Sequence, residues 1–189
     1  MANKIKYGLK NVFWAKATDD GTGTLTYGST KAWKGAVSLS LEAQGDTNTF
    51  YADNIAFFTS TANNGYQGDF ESALIPDDFR KDILGETLDA KGFYVETADA
   101  PTVEFALLFQ FEGDDKATKH ALYRCVASRP AVNGSTKEES IDPQTETLTI
   151  TAMPRINDNV VKARCPYTSS TTSSYATWFD AVVEPTPVD

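Results

Sequence analysis

Ile75-Pro76-Asp77-Asp78-Phe79-Arg80-Lys81-Asp82-Ile83-Leu84-Gly85 decides the fold, because it is the clearest helix in a chain that otherwise reads as strands. Pro76 suits a first helical turn, Asp77 and Asp78 put negative charge at the positive end of the dipole, and Gly85 supplies a left-handed stop. Ile75, Phe79 and Ile83 recur every four residues as a narrow apolar stripe, while Asp78, Arg80, Lys81 and Asp82 face water. Isolated helices need roughly 12–15 residues to persist in water, so this one must lie on a sheet. The flanking sequence has to supply that sheet.

Immediately upstream, residues 66–74 read as a strand with Phe70 and Leu74 on one face and Gln67, Asp69 and Glu71 on the other. Residues 36–44 alternate more cleanly still, Val37, Leu39 and Leu41 against Ser38, Ser40 and Glu42, before Gly45-Asp46 turns the chain. Between these strands, residues 47–64 carry Phe50, Tyr51, Ile55, Phe57 and Phe58 among Asp53, Asn54 and Asn63-Asn64 without a sustained period. That excursion is far longer than the median connection of about 4–6 residues. Nearer the N-terminus, residues 11–18 and 24–27 form a hairpin around Asp19-Asp20-Gly21-Thr22-Gly23.

Downstream, Gly92 leads into a short strand at 93–96, and residues 103–111 follow with Val103, Phe105, Leu107, Phe109 and Phe111 on one face. Ala106 and Leu108 make the second face apolar too, which predicts a central strand covered on both sides, by the helix on one of them. Residues 119–127 form a strand holding His120, and after a polar loop at 128–144, residues 145–152 set Leu148, Ile150 and Ala152 against Thr147, Thr149 and Thr151. The tract 168–174 is low-complexity Ser and Thr and reads as a flexible linker. Beyond it Tyr175, Trp178, Phe179 and Val182 fall at helical spacing, an aromatic arm that must dock on its own domain or a neighbour.

At 189 residues the chain has room for one sizeable core, so one domain with arms is expected. A net charge of -9 argues against sequence-independent nucleic-acid binding, which draws its affinity from Lys and Arg on phosphates. No apolar run approaches the roughly 20 residues of a membrane span, and no membrane partner is expected. Cys125 and Cys165 could pair, but two cysteines without a secretory leader are more often free thiols.

Chemistry is sparse. A nucleophilic triad would have to use His120, which sits in mid-strand with no nucleophile elbow nearby, so a structural or surface role is the better reading. Two cysteines and one histidine do not make a tetrahedral zinc site, and Asp19-Asp20-Gly21 and Asp114-Asp115 lack calcium-loop spacing and read as turns. A glycosidase-like carboxylate pair is outweighed by a solvated acidic face. No catalytic residue, metal site or cofactor is therefore assigned.

What remains is a shared face. Ser38, Ser40, Glu42, Gln44, Gln67, Asp69, Glu71, Thr147, Thr149 and Thr151 fall on the polar side of three strands, without a Lys or Arg among them. An ordinary antiparallel sheet with one wet side explains this, and so does a wall lining a water-filled passage.

Taken in order, several short pieces resemble the major tail protein, or tail-tube protein, of phages with long non-contractile tails that infect Gram-positive bacteria. They are Tyr7-Gly8-Leu9-Lys10-Asn11-Val12, Gly35-Ala36-Val37-Ser38-Leu39-Ser40-Leu41, Phe50-Tyr51-Ala52-Asp53-Asn54 and Asn64-Gly65-Tyr66-Gln67-Gly68. Ile75-Pro76-Asp77-Asp78-Phe79-Arg80, Thr136-Lys137-Glu138-Glu139-Ser140 and Thr147-Leu148-Thr149-Ile150-Thr151-Ala152 continue the series, and the Ser/Thr tract departs from it.

The resemblance implies a mainly β fold with one or two short helices, a β-sandwich or half-barrel with one flanking helix. On this reading the tail-tube β domain spans 1–167, and 168–189, read from its composition, is a Ser/Thr-rich linker and C-terminal arm. The resemblance further implies hexameric rings stacked into a tube, with the ten polar residues lining the lumen. Phe50, Tyr51, Asp53, Asn54, Ile55, Phe57, Phe58, Trp178 and Phe179, with the arms at 1–10 and 173–189, become candidates for contact between subunits and rings. Implied partners are the protein itself, a tape-measure protein, a tail terminator, a distal tail protein, and genomic DNA passing without tight binding. The implied location is the virion tail, assembled in the host cytoplasm. A binding module that recognises protein or carbohydrate through the aromatic excursion is the competing reading.

Overall fold

The computed structural model describes residues 4–114, 117–136 and 143–186. Residues 1–3 of the N-terminal arm, Asp115 of the expected turn, residues 137–140 of the resemblance and residues 187–189 of the C-terminal arm lie outside the described residues.

In chain order the strands are β1 (Lys4–Asp19), β2 (Leu25–Tyr27), β3 (Lys31–Trp33), β4 (Ala36–Gln44), β5 (Thr47–Ala52), β6 (Ile55–Thr61) and β7 (Gly65–Ser72). Helix α1 (Asp77–Asp82) follows, then β8 (Thr87–Leu88), β9 (Tyr94–Val95), β10 (Phe105–Asp114), β11 (Lys119–Ala127), β12 (Glu146–Ala152), β13 (Lys162–Cys165) and helix α2 (Thr172–Ala176). One large antiparallel sheet runs β2-β1-β10-β11-β12-β7-β4, with β3 added on β1 and β13 on β11. Two small hairpins, β5-β6 and β8-β9, stand outside it.

The large sheet curls. Trp33 of β3, near one end of the strand order, donates from Nε1 to the Ser72 hydroxyl of β7, near the other end, at 2.8 Å. It also meets Phe70 edge-on at 4.8 Å. Helix α1 lies in the concavity, and Phe79 is enclosed by Trp14 at 5.1 Å, Trp33 at 4.5 Å and Phe105 at 5.1 Å between ring centres. The stripe Ile75, Phe79, Ile83 is buried as its spacing requires. Pro76 sits one position earlier than expected, at the N-cap, where its carbonyl accepts from the Phe79 and Arg80 amides. Polar clasps hold the helix to the sheet: Arg80 to Glu146 at 2.5 Å, the Ile75 amide to the same carboxylate at 2.6 Å, and Lys31 to Asp82 at 2.8 Å.

Strand β10 is the central strand its two apolar faces demand. Phe105, Leu107 and Phe109 belong to the core under the helix, while Ala106 and Leu108 belong to a second core on the opposite face. Both thiols are free and buried, Cys125 in the first core and Cys165 in the second.

Three expectations need correction. A register shift between Ala36 and Ser38 turns Val37 outward, 49% exposed, and Ala36 packs against the core in its place beside Leu39 and Leu41. Leu74 is 72% exposed because β7 ends at Ser72, whose hydroxyl is needed by Trp33. Part of the Ser/Thr tract is ordered structure: Thr171 Oγ1 donates to the Pro166 carbonyl at 2.6 Å, the Thr168 amide donates to Thr171 Oγ1 at 2.9 Å, and α2 begins at Thr172.

Candidate functional site

The ten polar residues come together. Strands β12, β7 and β4 are adjacent, and their register stacks Thr147, Glu71 and Ser38 in one cross-strand row, Thr149, Asp69 and Ser40 in the next, and Thr151, Gln67 and Glu42 in a third. Gln44 ends the face opposite Gly65. Period-two alternation places all of them on the side away from α1, because Leu148, Ile150, Phe70, Leu39 and Leu41 occupy the other. Gly68 lets the strands approach: a Cβ there would stand 1.9 Å from the Ser40 carbonyl oxygen.

Hydroxyls satisfy the carboxylates across these rows. Thr145 donates to Glu71 at 2.6 Å, Ser38 to Glu71 at 3.0 Å, and Thr149 to Asp69 at 2.9 Å. The bonds from Thr145 and then Ser38 hold the Glu71 carboxyl below the ordinary carboxylate range, so it is charged at neutral pH. The result is an anionic, hydroxyl-rich surface whose acids have no cation in the rows beside them.

The same side of the sheet is different over β1, β10, β11 and β13. There Phe13, Ala106, Leu108, Ala121 and Tyr123 pack beneath the C-terminal segment. Trp178 is 4% exposed in this second core, and Phe179 stacks on Phe13 at 4.9 Å. Both residues, expected at contacts between subunits, are therefore occupied by the protomer's own sheet. Two buried cations fasten the segment and were not singled out by sequence. Lys119 donates to the Tyr175 carbonyl at 2.7 Å and lies over the Tyr175 and Phe179 rings. Arg155, 2% exposed, pairs with Asp158 and with Glu184 and lies over the Tyr123 ring. A lysine amid strand residues and an arginine before a turn were the available signals, but neither differs locally from a surface cation.

The aromatic excursion is a regular hairpin. Asp53 and Asn54 both take positive φ, 51° and 62°, the conformation of the tight turn that suits the twist of paired strands. Thr47 pairs with Thr61 and Thr49 with Thr59, and a register shift between Phe50 and Tyr51 displaces the aromatic residues from strict alternation. That shift hides the period. Every residue of β6 is exposed, and Phe50, Tyr51, Ile55, Phe57 and Phe58 are each at least 60% exposed.

A family model described as phage tail tube protein matches residues 2–172. The chain belongs to that family. No curated protein matches it significantly. A tail tube protein is a structural component of a virion tail. In this tail tube protein His120 stacks on Phe109 at 5.2 Å, its ring occupied in packing. The matched span holds the polar rows and the hairpin, and ends before Trp178 and Phe179.

Proposed function

We propose that this subunit assembles into hexameric rings that stack into a hollow tube, with the rows on β4, β7 and β12 forming the wall past which DNA is conducted. The carrying observation is that Glu42, Asp69 and Glu71 share one uncovered face with seven neutral polar side chains and no lysine or arginine. A duplex carries about one charge per 1.7 Å of axis, so basic walls would release counterions and hold it. Acidic walls repel it weakly and let it slide. Strand β4 ends the strand order, leaving one edge without a strand partner among the described residues, a surface suited to joining neighbours around a ring. Six such arcs close around a bore too wide for side chains to fill.

The β5-β6 hairpin, with Phe50, Tyr51, Asp53, Asn54, Ile55, Phe57 and Phe58, supplies contacts between copies, since a lone two-stranded hairpin is barely stable in water. Head-to-tail repetition of such a contact builds an open filament. Tape-measure, terminator and distal tail proteins are the remaining partners on this reading, and assembly occurs in the host cytoplasm.

Replacing Asp69 and Glu71 together by Lys tests the wall. The expected outcome is tubes of normal appearance by negative-stain microscopy with genome delivery reduced by an order of magnitude or more. Normal infectivity from virions carrying both lysines would refute it.

A further inference from the structure

The concavity that α1 fills over Trp14, Trp33 and Phe105 stays open farther along the same strands. A groove of about 200 Å³ lies there, floored by Phe109 and Leu122 and walled by Leu39, Leu41, Tyr66 and Phe111, which remain half-exposed. Two lysines form its rim. Lys6 Nζ stands 4.7 Å from the Phe111 ring centre, and Lys162 Nζ stands 4.2 Å from that of Tyr66. His120 also lines it, and among the described residues no carboxylate does, in a chain where Asp and Glu outnumber Lys and Arg by 26 to 17.

The chain carries a matching projection. Residues 47–61 present five exposed large apolar side chains, and Asp53 is their sole charged residue. The protomer's own hairpin does not fill the groove. It continues the β4-β7 ribbon outward, with the Asn64 amide on the Gln44 carbonyl at 2.8 Å and the Ala62 amide on the Asp46 carbonyl at 3.0 Å. Eight residues from Gly45 to the tip reach about 26 Å at roughly 3.3 Å per residue, enough to enter a neighbouring copy. The groove is smaller than the roughly 300–1,000 Å³ of small-molecule sites and suits one or two aromatic anchors.

We infer that the groove receives the aromatic end of the β5-β6 hairpin of a second copy, with Lys6 and Lys162 meeting its Asp53. The inference rests on the tube reading and names the receiving surface for the hairpin. Charge favours this occupant: a cationic rim in an anionic protein selects a segment that has a carboxylate and no cation. Apolar rings then replace water over Leu41 and Phe111.

The test mixes full-length Phe57→Cys protein with full-length Leu41→Cys protein under mild oxidation during assembly. The native thiols are buried and do not compete. Disulfide-linked pairs in the tube fraction on non-reducing gels are expected, and tubes whose subunits stay unlinked would overturn the docking while leaving the tube reading intact. In a second arm, Lys6→Glu with Lys162→Glu should cut tube yield at least tenfold with the melting temperature unchanged, and Lys6→Arg with Lys162→Arg should restore it. Normal tubes from the Glu pair would again overturn the docking alone. Failure of unmodified protein to form rings or tubes at any concentration would remove both readings.

Discussion

On the side of the sheet facing away from helix α1, strands β1, β10, β11 and β13 carry aromatic and aliphatic residues under a C-terminal cover, whereas β12, β7 and β4 carry hydroxyls and carboxylates left bare. Both halves share one backbone ladder. The difference is in what alternate side chains offer: Leu108, Ala121 and Tyr123 must be buried to repay their exposure to water, while Thr149, Asp69 and Ser40 hydrogen-bond one another and remain wet. One half of the face serves the stability of the subunit. The other half contributes little to it, and its side chains remain in water.

The strongest way to break this comparison is Trp178→Ala. Loss of a fully buried indole costs about 3–5 kcal/mol, and the urea midpoint should fall sharply. A stability change below about 1 kcal/mol would show that the cover is dispensable. Next, Lys119→Met keeps the side-chain volume but removes the bond to the Tyr175 carbonyl and the cation over two rings, and should cost about 1–2 kcal/mol in the same measurement. On the bare half, Thr149→Val removes the hydroxyl bonded to Asp69, and stability should stay within about 0.5 kcal/mol of the parent.

The smallest effect sharpens the comparison through pH. Glu71 binds its proton less readily when folded than unfolded, so its contribution is complete above the ordinary carboxylate range and fades as pH falls through the lower folded value. Glu71→Gln should therefore lower stability slightly at neutral pH, with the difference from the parent vanishing as pH falls below the folded value, which flattens the acid limb of the profile. A difference that is absent at neutral pH, or that persists undiminished in acid, would contradict the assigned hydroxyl bonds.

Much of this division was legible in sequence, because period-two alternation in 145–152 and 66–72 states which side chains share a face regardless of partner. Strand adjacency was not written there; the register of Thr149, Asp69 and Ser40 depends on pairing across long loops. The helix was legible because its cap, charge order and stripe are all local. Val37 was misread since a one-residue bulge reverses facing without any change in composition. The hairpin at 47–61 was obscured by its register shift, although Asp53-Asn54 marked the turn. Docking of Trp178 was beyond sequence reading, because what a terminal aromatic packs on is decided by residues such as Phe13 and Tyr123 far along the chain.

The two cysteines lend the particle an indifference to oxygen. Cys125 lies in one core and Cys165 in the other, on opposite sides of the sheet, and burial pushes the Cys125 thiol far above its usual range. Both sulfurs are buried away from an oxidant, so exposure to air, or long storage there, demands no covalent adjustment of the subunit.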